Sequence, residues 1–251
     1  MIMIILKEKA QIELMREAGK IAAAALVEAG ARIKDGVTTA EIDKFIQSFI
    51  EKHNATPSFL HYQGFPASSC ISLNDEVIHG IPSKKRVIRE GDIVSIDVGA
   101  FKNGYHSDTA YTFFCGNVSE NAKRICEVTR SSLAKGIEAA VIGNRIGDIG
   151  YAVESEATKN GYTVLRDYTG HGVGADIHEA PDVPNYGRQG RGVRLCEGMT
   201  IAIEPMLNEG DEKVYVLSDG WTVCTADRKL SAHFEHTVAI TANGAEILTL
   251  P

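Results

Sequence analysis

A two-residue turn between strand-like runs constrains the fold of this chain more than any other stretch. Residues 93–114 read IVSIDVGAFKNGYHSDTAYTFF, in which segments rich in β-branched and aromatic residues flank Asn103-Gly104. Asn-Gly is the strongest short signal for a β-hairpin, because both residues of the turn must adopt positive φ. The turn predicts that Lys102 faces Tyr105, and this pairing sets the register of the whole hairpin.

The predicted register brings two carboxylates together. Asp97 should lie opposite Ala110, and Asp108 opposite Gly99. Because paired residues share a face, Asp97 and Asp108 become diagonal neighbours about 7–8 Å apart at the backbone. Two carboxylates in a dry site repel each other and lose hydration, and a cation between them would relieve both costs. The alternative is a wet sheet face on which each carboxylate is simply solvated.

Further ionisable side chains lie in or beside strand-like segments downstream. Glu204 lies in TIAIEPM and Glu235 in HFEHTVAI, while glycines surround His171 in TGHGVGADIHEAP, where His178 follows. Taken singly, each glutamate fits a solvated sheet edge and each histidine fits a structural hydrogen bond. Together, four carboxylates and one imidazole suit two divalent first-row ions. Two such ions acidify a shared water and polarise a carbonyl group.

The order of elements predicts a mixed fold with an internal repeat. Residues 9–33 are alanine-rich with helical periodicity, and Thr38-x-x-Glu41 forms a capping box before a second amphipathic segment. A similar plan of helix, break, helix and strand returns over residues 119–165. Hairpin signals, including Asp219-Gly220, follow in the last part of the chain. We therefore predict an α+β fold and a single domain, residues 1–251, with pseudo-two-fold symmetry.

Composition limits the partners and the compartment. A net charge of −7 argues against nucleic-acid recognition and against docking on anionic membranes. The apolar run MIMIIL is too short for the core of a signal peptide or for a membrane span. The five cysteines are scattered and form no CxxC motif, which predicts reduced, mostly buried thiols in the cytoplasm rather than a Cys-rich structural zinc site.

Five segments, in order, resemble the bacterial type I methionine aminopeptidases: SLNDEVIHGIP, GDIVSIDVGAFKNGYHSDTAYTF, GHGVGADIHEAPDVP, GMTIAIEPM and HFEHTVAI. The resemblance extends from the first helix to the last strand. It implies the pita-bread fold, in which two pseudo-symmetric halves of antiparallel sheet are backed by helices. It also implies a cytoplasmic, monomeric hydrolase that removes methionine from the N-termini of nascent polypeptides and peptides and prefers a small second residue. Transient contact with the ribosome is compatible with such substrates.

The resemblance further implies two divalent metal ions per chain, drawn from Co, Mn, Fe and Zn. Asp97 would chelate one ion and His171 the other, while Asp108 and Glu235 would bridge the pair. Glu204 would bind the ion of His171 and also carry a proton during the reaction. The substrate's free α-amine would bind on the Asp97 side, which explains the removal of a single residue.

The same resemblance assigns substrate contacts. His178 would hydrogen-bond the substrate carbonyl, and His79 would contact the scissile amide nitrogen. The methionine side chain needs an apolar, polarizable pocket. Its wall would comprise Phe59, Tyr62, Phe65, Cys70, Ile177 and Trp221. Two of these positions depart from the family pattern, since Phe65 stands where Tyr is frequent and Ile177 where Phe is frequent; both remain apolar. Phe59 alone fits ordinary core packing equally well.

Two alternatives stay open on sequence grounds. Xaa-Pro aminopeptidases and prolidases share the HGxGxxxHExP pattern, although they usually carry an extra N-terminal domain for which this chain has no room. The HGIP motif at residues 79–82 favours the methionine enzymes. A non-catalytic pita-bread protein that only binds peptides would typically have lost metal ligands, and all five are present here.

Overall fold

The computed structural model describes residues 4–251. Its helices are α1 (Lys9–Gly30), α2 (Thr39–Lys52), α3 (Glu120–Ala139) and α4 (Ile146–Lys159), with a short 3₁₀ turn at Tyr62–Gly64. Its strands are β1 (Thr56–Pro57), β2 (Cys70–Leu73), β3 (Glu76–Ile78), β4 (Ile93–Lys102), β5 (Tyr105–Phe114), β6 (Thr163–Val164), β7 (Gly170–Gly172), β8 (Glu179–Val183), β9 (Thr200–Ile203), β10 (Met206–Asn208), β11 (Val214–Val216), β12 (Val223–Thr225), β13 (Ser231–His233), β14 (Glu235–Thr241) and β15 (Gly244–Ile247). The mixture of helices and antiparallel strands confirms the α+β prediction.

The central hairpin has the predicted register. Asn103 and Gly104 adopt φ values of 51° and 87°, as a turn of this kind requires. Lys102 pairs with Tyr105, and the ladder continues without a bulge to the far end of both strands. Asp97 therefore pairs with Ala110 and Asp108 with Gly99, as the turn predicts.

The predicted capping box starts α2. The Thr38 hydroxyl accepts a hydrogen bond from Glu41 N at 3.3 Å, and the Glu41 carboxylate accepts one from Thr38 N at 2.8 Å. Ile42, Ile46 and Ile50 on this helix are fully buried, which is the expected result of their helical spacing. The prediction for the preceding helix was slightly too long, because α1 ends at Gly30, where the chain turns against β5.

Each pair of helices packs on its own half of one sheet. Side chains of α1 and α2 bury against β2 and β4, while those of α3 and α4 bury against β9 and β14. The strands of the largest sheet lie in the order β1-β4-β5-β14-β9-β7-β8, with β2 beside β4 and β15 beside β14. The sheet is continuous across both halves, which supports our proposal of one domain with an internal repeat.

The later hairpin has the predicted register, and most of the cysteines are buried. Val216 pairs with Val223, the register expected for a turn at Asp219-Gly220. At the turn, the Asp219 carboxylate accepts hydrogen bonds from the backbone N–H groups of Trp221 and Thr222. Four of the cysteines are buried and Cys196 is exposed. Within residues 4–251, every helix is too short or too polar to cross a membrane.

Candidate metal centre and substrate cavity

Sheet register places the candidate ligands on one face. Ala110 on β5 pairs with Asp97 on one side and with Glu235 on the other, so these residues face the same way. Asp108 lies two residues before Ala110 on the same strand and shares that face. Neighbouring strands β4, β5 and β14 thus contribute three carboxylates to one surface of the sheet.

The remaining two ligands come from the next strands of the sheet. Ile203 pairs with His236, so the following residue, Glu204, faces the side of Glu235. Gly172 pairs with Ile201, and by the same alternation His171 points to the face of Glu204. Four strands and the residue directly after β9 therefore offer one candidate ligand each, in the spatial order Asp97, Asp108, Glu235, Glu204 and His171.

The side chains converge as the register requires. Ligand atoms of Asp108, His171 and Glu235 all lie within 4.8 Å of one another, and all three residues are buried. His171 Nε2 is 3.8 Å from Asp108 Oδ2 and 3.6 Å from Glu204 Oε1. One oxygen each of Asp97, Asp108 and Glu235 is buried without a hydrogen-bond partner among the described residues. Buried polar atoms normally have partners, so this oxygen-rich cluster fits divalent cations that would bind these atoms.

The His171 ring is oriented to act as a ligand. Its Nδ1 lies 2.9 Å from the carbonyl oxygen of Gly172, which can only accept, so Nδ1 carries the proton. Nε2 then faces the carboxylates with a free lone pair. Burial lowers the pKa of His171 to about 3, with a smaller contribution from nearby His178, so the ring is neutral at physiological pH. A neutral imidazole held by a backbone carbonyl is the form that binds first-row metals.

The pKa values of the four carboxyl groups are raised, whereas that of His171 is lowered. Burial, followed by the neighbouring Glu204 charge, raises the pKa of Asp108 to about 7, and burial raises the pKa of Glu204 to about 8. Burial and the surrounding carboxylates also raise the pKa values of Asp97 and Glu235 well above the ordinary range. Without a cation, the cluster therefore retains protons near neutral pH that a metal ion must displace.

Loading the metal-free protein with Mn²⁺ should therefore release protons. We expect calorimetric titrations in buffers of different ionisation enthalpy to show release of at least about one proton per chain near pH 7, because Glu204 is still protonated there. Raised carboxyl pKa values also mean that the release decreases, and the affinity for Mn²⁺ increases, as the pH rises through about 8. Zero proton release at every pH would contradict the protonated cluster.

A cavity of about 280 Å³ lies directly over the cluster. Asp97, Asp108, Glu235, Glu204 and His171 line it from the sheet. The opposite boundary is apolar and aromatic, so a substrate that enters would have its polar end at the carboxylates and its side chain against rings. Pockets of this kind, with a few convergent polar groups, are where small ligands usually bind.

Two histidines line the cavity beside the cluster. His79 follows β3 with a left-handed φ of 58°, which is uncommon for a residue other than glycine and redirects its side chain. His178 is exposed at the rim, where its ring lies 4.0 Å from that of His171 between centroids. Nδ1 of His178 is 2.9 Å from the Tyr62 hydroxyl, and the two rings stack. Both histidines thus have defined orientations toward the same space.

The predicted apolar pocket is present, and all but one of its six residues line the cavity. Phe59, Tyr62, Phe65, Cys70 and Trp221 line the cavity. Cys70 lies there because it pairs with Asp97 across β2 and β4, and the Phe65 ring meets the edge of Trp221 at 5.1 Å between centroids. Ile177 packs in the same apolar cluster and is almost fully buried, but it is not among the side chains that line the cavity.

The structure adds a residue that sequence reasoning missed. His233 is fully buried, and its Nε2, which has no hydrogen-bond partner within residues 4–251, lies 3.4 Å from Glu204 Oε2. Burial lowers the pKa of this ring to about 3. No local pattern places His233 there, because it ends β13, which belongs to a different sheet from the β14 strand of Glu235. Tyr168 and Thr169 also line the cavity, but they lie on a loop whose course no local pattern predicts.

The chain is similar to known metallopeptidases in both sequence and structure. The profile of Metallopeptidase family M24 matches residues 13–242. Methionine aminopeptidase of Clostridium acetobutylicum is 54% identical over 248 residues, which cover 99% of each chain. The crystal structure of methionine aminopeptidase from Thermotoga maritima matches with a TM-score of 0.98 and 45% identity, over 99% of this chain and 100% of that one.

A structural relative with another activity is more distant. Prolidase from Pyrococcus furiosus matches with a TM-score of 0.80 and 29% identity, over 98% of this chain and 66% of that chain. Both activities therefore occur on the fold seen here, which confirms the predicted pita-bread architecture. Identity and coverage favour the methionine aminopeptidases over the prolidases.

Proposed function

The chain belongs to metallopeptidase family M24, within the bacterial methionine aminopeptidases, and on this basis we propose how its residues remove methionine from the N-terminus of a polypeptide. The protein is a metal-dependent hydrolase. One observation carries the proposal: five candidate metal ligands, carried by or directly following five neighbouring strands, form the floor of a cavity with an aromatic wall. A carboxylate-rich floor suits hydrolysis, and an apolar wall suits a thioether side chain.

The order of the strands supports the division of ligands between two ions. Asp97 and His171 lie at opposite ends of the row, so each would bind one ion. Asp108 and Glu235 lie between them and would bridge the pair, while Glu204 is next to His171 and would share its ion. When bound, two divalent ions would supply Lewis acidity and an acidified water. Mn, Fe, Co and Zn all suit this set of oxygen and imidazole ligands.

Glu204 is the proposed carrier of the proton. Its carboxylate faces the row of ligands on one side and His233 on the other. A carboxyl group in this environment can accept a proton from the attacking water and return it to the leaving amide nitrogen. His79 lines the same cavity and would contact that nitrogen, which keeps the scissile bond aligned.

His178 is the proposed donor to the substrate carbonyl. When the Tyr62 hydroxyl donates to Nδ1 of His178, Nε2 carries the ring's proton and is free to donate to the developing oxyanion. The stacking of both rings would hold this orientation without a rearrangement during the reaction. Tyr62 would thus contribute to the pocket wall and also set the tautomer of His178.

The wall of Phe59, Tyr62, Phe65, Cys70 and Trp221 would accept the methionine side chain, with Ile177 packed in the same apolar cluster. The free α-amine of the substrate would bind on the Asp97 side, where the row of candidate ligands ends. The natural partners would be the N-termini of nascent polypeptides and peptides, and a small second residue would fit the restricted space. We propose that the protein acts as a monomer in the cytoplasm, where such N-termini emerge, with at most transient contact with the ribosome.

The decisive assay compares peptides of different N-terminal sequence. We expect the Mn²⁺- or Co²⁺-loaded protein to release methionine from Met-Ala-Ser, to cleave Lys-Pro and Gly-Pro peptides negligibly, and to lose all activity on chelation. Activity should return when the metal is restored, which controls for unfolding. Cleavage of the proline peptides without cleavage of Met-Ala-Ser would assign the chain to the prolidase type instead. No turnover with any of the four metals would indicate a binding protein.

A further inference from the structure

The segment that precedes α1 reaches the loop that carries His178. Lys7 is buried, and its ammonium group forms an ion pair with Glu179, 172 residues later in the chain. Only 3% of the Lys7 side chain and 6% of the Glu179 side chain are exposed. Lys7 N also donates to the carbonyl oxygen of Gly198 at 2.7 Å. The segment is thus fixed at both its backbone and its side chain.

Glu179 directly follows His178 and organises the loop before it. One carboxylate oxygen of Glu179 contacts Lys7, and the other accepts a hydrogen bond from Asp176 N at 3.3 Å. Gly174 N donates to Asp176 O at 3.0 Å, and Gly174 O accepts from His106 N at 2.8 Å. Residues 174–179 are therefore folded around a single carboxylate whose charge is balanced by Lys7.

Gly174 provides the space in which the pair meets. A Cβ atom at this position would come within 2.6 Å of the Lys7 Nζ and Cε atoms, and would also collide with the Glu179 carboxylate. Its φ is not in the left-handed region, so the requirement for glycine here is one of space. The close approach of three segments makes the ion pair sensitive to a single added methyl group.

We propose that Lys7 is a positioning residue for the aminopeptidase reaction, because through Glu179 it fixes the main chain that carries His178. The inference rests on the role of His178 given under Proposed function. Removal of the ammonium group would leave a buried carboxylate without a counter-charge, and the loop would have to move to bring that carboxylate to water. A displacement of about 1 Å at a catalytic group can cost roughly a hundredfold in rate.

The test is a double-mutant cycle with Met-Ala-Ser as substrate. Lys7→Met should lower kcat/KM on the order of ten- to hundredfold, while the affinity for Mn²⁺ stays unchanged, since none of the five ligands lies on the loop. In a His178→Ala background, the same Lys7→Met change should lower kcat/KM by no more than about threefold, because the group that it positions is gone. Lys9→Met, two residues along and exposed, is the matched control and should have no effect.

The outcomes separate the inference from the proposed function. An unaltered kcat/KM in Lys7→Met, or an equal loss in both backgrounds, would overturn the positioning role. Absence of Met-Ala-Ser turnover by the unmodified protein would refute the function instead. Should Lys7→Met not fold, Gly174→Ala offers an independent route, because its methyl group displaces the same ion pair. Gly174→Ala should lower activity in the unmodified protein but have little further effect in the His178→Ala background.

Discussion

Asp108→Asn should lower kcat/KM for Met-Ala-Ser by at least about a thousandfold, because the bound metal contributes several kcal/mol to the reaction and each 1.4 kcal/mol is about tenfold. Asp108 is the second of the five candidate ligands along the row, and among residues 4–251 one of its buried oxygens has no hydrogen-bond partner. An amide keeps the shape of the side chain but offers only one neutral oxygen. The change therefore removes charge without creating a cavity.

The variant should nevertheless fold. Burial, with a smaller contribution from the Glu204 charge, raises the pKa of Asp108 to about 7, so a neutral amide should leave the metal-free protein equally or more stable to heat. Thermal unfolding with and without Mn²⁺ measures this, and the Mn²⁺-dependent increase should shrink sharply. Asp182→Asn alters an exposed aspartate on β8 and serves as control. Full activity of Asp108→Asn would contradict the bridging role.

His178→Ala should lower kcat on the order of a hundred- to a thousandfold, the usual loss when one donor to an oxyanion is removed. KM should change little, because the donor acts on charge that develops only in the transition state. Metal affinity should be preserved, since His178 is not among the five ligands on the sheet. Steady-state kinetics on Met-Ala-Ser, with Mn²⁺ binding measured in parallel, test this expectation.

Tyr62→Phe provides the graded comparison for His178. It keeps the aromatic stack but removes the hydroxyl that lies 2.9 Å from His178 Nδ1. We expect a smaller loss of kcat than for His178→Ala, because the donor remains and only its tautomer is less well defined. A Tyr62→Phe loss as large as that of His178→Ala, or an unchanged kcat in His178→Ala, would show that the imidazole does not act on the carbonyl.

Local rules were sufficient wherever a short motif determines the backbone. Asn103-Gly104 sets the hairpin register, and from it follow the pairing of Asp97 with Ala110 and the shared face of two ligands. The Thr38–Glu41 capping box likewise specifies the start of α2 without help from the rest of the fold. Such features depend on residues close in sequence, so the sequence alone predicts them.

Long-range features could not be derived in the same way. The proximity of His171 and Glu204 depends on β7 joining β9, and the approach of Glu204 to His233 depends on a strand that belongs to a different sheet. No local pattern in the segment EVIHG predicts the left-handed φ of His79. Lys7 and Glu179 form an ion pair although they are 172 residues apart, and no periodicity or motif in the sequence indicates this contact.

The candidate metal ligands come from distant parts of the chain, and this affects how the metal site forms during folding. Asp97 and Asp108 belong to the first half of the chain, whereas His171, Glu204 and Glu235 belong to the second. Because the candidate ligands are divided in this way, the full set comes together only when β5 pairs with β14. Metal uptake during refolding would thus report the formation of this long-range pairing, and the bound metal would link the two halves of the chain.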